Sequence, residues 1–98
     1  MAPTKLEIKV NAVKRLLKES KLYDQEALEQ EKVLSSMKER QDDPYLIQKQ
    51  EVLLKEARMM VTELKKKVEE QKTNLSKYLD SYDGDEDTSA ARALISAN

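Results

Sequence analysis

Cysteine, histidine, tryptophan and phenylalanine are absent from this chain, and it has a single glycine and two prolines. Each gap closes a class of function. Without cysteine there is no disulfide framework, no thiol nucleophile and no thiolate-bound zinc. Without histidine the commonest general base and metal ligand is missing. One glycine cannot build a phosphate-cradling loop, and no nucleophile elbow surrounds any serine. Aromatics reach only 4%, too few for a β-sandwich core. No apolar run approaches ~18 residues, so no membrane-spanning segment is expected. The opening Met1-Ala2-Pro3-Thr4-Lys5 has no apolar signal-peptide core, and with no cysteine present a cytoplasmic setting is the default expectation.

Charge is abundant and balanced. Eighteen basic residues face nineteen acidic ones across 98 positions. That balance offers no general attraction to nucleic acid. Helix formers dominate what remains.

Six apolar residues then recur at sevens: Ile47, Leu54, Val61, Val68, Leu75 and Tyr82. Their companion row is Gln50, Ala57, Leu64, Gln71 and Tyr78. A strict heptad of this length is the mark of a helix laying a seam against other helices. An earlier stretch repeats the pattern through Leu6, Val13, Leu16, Ser20, Tyr23, Ala27, Gln30, Leu34 and Met37.

The punctuation gives the order of the helices. Thr4 with Glu7 forms a capping box, and helix one is expected over about 4–41. Asp43-Pro44 pairs an N-cap with a residue suited to the first helical position, so helix two covers about 44–82 and ends before Gly84. A short third helix is expected over about 86–97, with Ala90, Ala91, Leu94 and Ile95 as its apolar face. It is too short to stand alone in water and must dock. The brief link at 41–43 makes the two long helices antiparallel. The fold class is therefore all-α. One domain over 1–98 is expected, an antiparallel three-helix bundle with two long helices, a short C-terminal helix and coiled-coil-like packing.

Facing positions then follow. Helix three begins beside the start of helix one, where Leu94 and Ile95 would cover the wide arc of Leu6, Ile8, Val10, Val13, Leu16 and Leu17. At the other end Tyr45, Leu46, Ile47, Leu53, Leu54, Met59 and Met60, with Leu28, Val33 and Met37, leave an equally wide arc with no third helix over it. Either helix twist draws these residues into the two-helix core, or part of them meets a partner. Asp83-Gly84-Asp85 does not place ligands at calcium-loop spacing. Lys14, Arg15, Lys18 and Lys21, with Lys65, Lys66, Lys67 and Lys72, form either a solvated basic face or a docking patch for an acidic protein. Glu51 with Lys55 and Glu63 with Lys67 stand at favourable helical spacing.

Two segments go beyond a generic bundle. They are Lys14-Arg15-Leu16 … Lys18-Glu19 … Tyr23 … Glu26, and Asp43-Pro44-Tyr45 … Lys49-Gln50-Glu51 … Leu53 … Glu56-Ala57-Arg58-Met59-Met60. With Met1-Ala2-Pro3-Thr4 … Ile8-Lys9-Val10 and Glu86-Asp87 … Ala91-Arg92, they resemble the tubulin-folding cofactor A (tubulin-binding chaperone A) family along essentially the whole chain. The resemblance implies a monomeric or homodimeric three-helix bundle in the cytoplasm, associated with the cytoskeleton. It implies an ATP-independent chaperone, not an enzyme, with no cofactor, no metal, no nucleic acid and no membrane. Such a chaperone captures β-tubulin after the chaperonin and before pairing with α-tubulin, and meets other tubulin-folding cofactors only indirectly. On that reading Lys14, Arg15, Lys18 and Lys49 steer towards tubulin, and Tyr23, Tyr45, Met59 and Met60 make apolar contact. Arg58 is either a further contact or the partner of a carboxylate such as Glu31. Members of the family commonly carry a proline just after Arg-Met-Met; here Thr62 stands there, and a straighter second helix is expected. The seam alone fits a second reading equally well, a structural homo-oligomeric coiled coil or adaptor, in which Gln50, Gln71, Ser20 and Gln30 set register.

Overall fold

A computed structural model describes residues 2–96, and these form three helices with no strand. They are α1 Lys5–Glu39, α2 Pro44–Asp80 and α3 Ser89–Ser96. The residues divide into two compact units. One joins the chain up to Lys18 with the chain from Lys66 onward; the other is Glu19–Lys65.

The first unit has an apolar core. Leu6, Val13, Leu75, Leu79 and Ala91 are buried together, with Val10, Leu17, Tyr78, Tyr82, Leu94 and Ile95 packed around them. Val13 and Leu75 are completely shielded from solvent. Burying each such side chain is worth about 1.5–3 kcal/mol. The eight residues of α3 hold their place through Ala91, Leu94 and Ile95, as the docking argument requires.

Local hydrogen bonds fix how this unit's segments begin. The Glu7 amide donates to the Thr4 hydroxyl at 3.1 Å, and that hydroxyl donates to Glu86 Oε2 at 2.9 Å. One N-cap thus also ties down the acidic link before α3. The Glu86 amide donates to the Tyr82 hydroxyl at 3.1 Å. Asp87 accepts from the hydroxyl and amide of Ser89, at 2.6 and 2.9 Å, which holds its carboxyl below the ordinary carboxylate value.

Four sequence expectations shift here. Helix two ends at Asp80, short of Tyr82 and Gly84. Tyr82 still packs on the core, but from a turn, its amide donating to the Leu79 carbonyl at 3.2 Å. Gly84 has no left-handed backbone; its missing Cβ instead leaves room for the Tyr82 ring, whose Cζ lies 2.6 Å from where a Cβ would stand. Helix three starts at Ser89 because Asp87 and Thr88 occupy the capping positions, the Arg92 amide bonding back to the Thr88 carbonyl. Its expected end at Ala97 lies outside the described residues. Lys72 is not part of a solvated basic face: it is buried, one turn after seam residue Val68.

The second unit is a helical hairpin. The α1 C-terminus closes as a Schellman motif, with the Asp42 amide bonded to the Met37 carbonyl and the Gln41 amide to Lys38. Gln41 takes the left-handed conformation, φ 55°, that glycine usually supplies. Asp43 caps α2 as its sequence suggests, accepting from the Tyr45 amide at 2.8 Å. α2 runs unbroken through Thr62, whose hydroxyl donates to the Arg58 carbonyl at 3.1 Å.

Two stability outcomes follow. Leu75→Ala should cost about 2–5 kcal/mol in denaturant unfolding, since its site is fully packed; a loss under ~1 kcal/mol would mean the core relaxes around the gap. Gln41→Gly should raise stability by about 1 kcal/mol by removing left-handed strain, and an unchanged melting temperature would show that the turn carries none.

Candidate partner-binding surface

In the second unit the seam is narrow and partly polar. Leu34, Leu54 and Leu64 are its buried apolar residues, beside buried Ser20 and Gln50. Gln50 Nε2 donates to the Gln30 carbonyl at 3.1 Å and to Gln30 Oε1 at 2.5 Å. A buried amide with its hydrogen bonds made fixes one register, because a slip would leave it unpaired.

Ion pairs reinforce that register. Lys65–Asp24, Arg58–Glu31 and Lys38–Glu51 span 4.0, 3.7 and 3.8 Å. They advance by seven on both helices, 24, 31 and 38 against 65, 58 and 51. All six side chains are well exposed, so each pair contributes at most about 1 kcal/mol. Arg58 therefore takes the carboxylate partner that the facing geometry offers. Glu51 reaches across to Lys38, and among the described residues neither Glu51–Lys55 nor Glu63–Lys67 forms an ion pair.

The eight candidate contact residues are all exposed. Lys14, Arg15 and Lys18 lie in the first unit, and none of them is in an ion pair among the described residues. Tyr23, Tyr45, Lys49, Met59 and Met60 lie in the second. Lys49 Nζ stands 4.7 Å above the Tyr45 ring, so these two form one amphipathic feature at the start of α2. Met59 lines a shallow groove of ≈ 370 Å³ with Leu34, Leu54 and Arg58. Tyr23 is 38% exposed although it stands on the seam.

Sequence reasoning left Leu22, Leu46, Val52 and Leu53 out of the site. They too are exposed, as are Leu28 and Val33. Of the large apolar side chains exposed among the described residues, only Ile8 lies outside the second unit. The signal was present in the width of the apolar arc, and only the burial pattern separates its outward part from the seam.

Comparison with known proteins shows the family. The family model described as Tubulin binding cofactor A matches residues 1–95. This chain belongs to the tubulin binding cofactor A family. It is 43% identical over 98 residues to Tubulin-specific chaperone A of Saccharomyces cerevisiae, covering 99% of this chain and 92% of that one. To Tubulin-specific chaperone A of Bos taurus it is 38% identical over 76 residues, 78% of this chain and 70% of the relative. Among solved structures, Rbl2p, a beta-tubulin binding post-chaperonin cofactor, matches with a TM-score of 0.89 at 41% identity, over 95% of this chain and 92% of its own.

Proposed function

We infer that this family member is a tubulin-folding cofactor whose partner is β-tubulin. What carries the reading is membership of the cofactor A family over nearly the full chain, with a relative named for binding beta-tubulin at the same fold. The chemistry of the surface agrees with it. A folding intermediate exposes apolar area and charge, and a holder needs apolar side chains set in a charged, soluble surface. Tyr45, Met59 and Met60 supply adaptable apolar contact, methionine being unbranched and easily repacked. Lys14, Arg15, Lys18 and Lys49 supply positive charge that raises the rate of encounter with an acidic partner.

The finer reading is capture without nucleotide, after release from the chaperonin and before pairing with α-tubulin, in the cytoplasm. Other tubulin-folding cofactors then act on the same client without binding this chain directly. No group of three or more His, Cys, Asp and Glu among the described residues is placed to hold a metal, and the function proposed needs none.

Gel filtration of the purified chain with chaperonin-released β-tubulin, without nucleotide, tests this. Co-elution is expected. No complex, with the chain alone eluting as a stable oligomer, would replace this reading with the structural coiled-coil one. Changing Lys14, Arg15 and Lys18 together to Ala should lower tubulin affinity about tenfold at low salt and flatten its salt dependence, with helicity unchanged. Equal binding at every salt concentration would remove the steering role.

A further inference from the structure

One hydroxyl, on Thr4, makes two different bonds. Its oxygen accepts from the Glu7 amide at 3.1 Å and caps α1. Its proton has two carboxylates in reach, Glu86 Oε2 at 2.9 Å and Glu7 Oε1 at 3.3 Å, and Glu86 is the nearer. Capping needs only an acceptor, whereas the bond to Glu86 needs a donor. The two roles of Thr4 are therefore chemically separable.

Glu86 stands at the head of the segment that carries α3. Its amide donates to the Tyr82 hydroxyl at 3.1 Å. The Tyr82 ring packs on the core and lies 5.6 Å from the Tyr78 ring. Between Tyr82 and Glu86 run Asp83, Gly84 and Asp85, all exposed. Beyond Glu86, the hydrogen bonds of Ser89, Arg92 and Ser96 stay within residues 87–96. The contact that α3 makes through Ala91, Leu94 and Ile95 is apolar, and of these three only Ala91 is buried. A groove of ≈ 190 Å³ runs along that contact, lined by Leu79 and Asp80 of α2 and by Arg92 and Ile95 of α3. Eight residues are too few to persist as a helix once undocked. Small, thinly packed segments of this kind open locally, well below the free energy of global unfolding.

We propose that residues 86–96 form a strap, hinged at 83–85, that opens while α1 and α2 stay paired, and that the Thr4–Glu86 hydrogen bond is its clasp, sensitive to charge at residue 4. A negative charge there leaves α1 capped, because aspartate is at least as good an N-cap as threonine and anions suit a helix N-terminus. The same charge removes the donor and sets two carboxylates against each other at Glu86. Lys5 is the cation beside residue 4 in sequence; Glu7 on α1 and Asp83, Asp85 and Asp87 in the link are the neighbouring anions, so the local balance is acidic. Opening withdraws Ala91 from the cluster of Leu6, Val13, Leu75 and Leu79 and leaves apolar surface of that cluster uncovered. The device belongs to this unit alone and holds whatever partner the protein binds.

Native-state amide hydrogen exchange on the full chain, read by NMR, decides it. Backbone chemical shifts in the same spectra give the helical fraction of α3. In wild type, the Arg92 amide, bonded to the Thr88 carbonyl, should exchange through an opening that leaves the Val13 and Leu75 amides protected. Thr4→Asn keeps both an acceptor and a donor and should match wild type. Thr4→Asp should speed exchange in α3 about five- to tenfold and lower its helical fraction. The Ile8 amide, bonded to the backbone carbonyl of residue 4, should stay as protected as before. In Thr4→Asp/Glu86→Gln the glutamine amide donates to the aspartate, and α3 should return to wild-type exchange. If Arg92 exchanges only together with Val13 and Leu75, there is no strap. If Thr4→Asp and Thr4→Asn leave α3 alike, the clasp is not sensitive to charge and the proposal falls. If Thr4→Asp exposes Ile8 as much as Arg92, the effect lies in the α1 cap and the clasp is overturned.

Discussion

A helix whose apolar residues repeat every seven positions cannot bury them by itself, and that constraint organises everything else here. Leu54, Val68 and Leu75 of the α2 seam are buried, and so is Leu64 from the companion row. What buries them is the antiparallel run of α1, brought back by a turn of four residues between Glu39 and Pro44. The turn depends on backbone chemistry. A Schellman closure at Gln41 and an Asp43 cap at α2 satisfy amide and carbonyl groups that two helix ends would otherwise leave open.

The two units use this shared arrangement differently. Around Val13 and Leu75 the packing is apolar and a third helix adds to it. Around Gln30 and Gln50 the seam contains a hydrogen-bonded amide pair and a buried serine. Amides in a seam contribute less than leucines would, but they make wrong registers costly. The exposed ion pairs Lys65–Asp24, Arg58–Glu31 and Lys38–Glu51 add little energy and the same information.

Much of the fold could be read from the residues because heptads and caps are local. The seam of α2, the Thr4 and Asp43 caps and the docked face of α3 needed only spacing and side-chain chemistry. What escaped were features decided by neighbours distant in sequence. Tyr82 continues the sevens beyond the end of α2, because its ring packs on the core whether or not its backbone is helical. Gly84 reads as a helix stop, yet its role is to leave room for that ring. Gln41 carries no sign of a left-handed backbone in its own chemistry. Lys72 looked solvated by composition and is buried by its place beside Val68. Of the proposed surface, the tyrosine, methionine and lysine positions were chosen through family resemblance. The leucines beside them were not, because a leucine flanking a heptad reads as core until its exposure is known.

That last distinction bears on why such a surface persists. Exposed leucine, valine and methionine side chains on a small helical protein invite self-association, and replacing them with polar residues would make the hairpin more soluble at little cost to its core. Their exposure is concentrated in the unit whose own seam is polar, while among its described residues the unit with the apolar core exposes only Ile8. If stability alone shaped the chain, the leucines would serve better in the seam at Gln50 or Ser20, with the polar residues outside. The observed distribution is the inverse. Register is secured by amides in the seam and by ion pairs on its exposed edge, which leaves the apolar area outside free of that task. That division suits a protein that must remain folded while empty and still offer a client a hydrophobic surface.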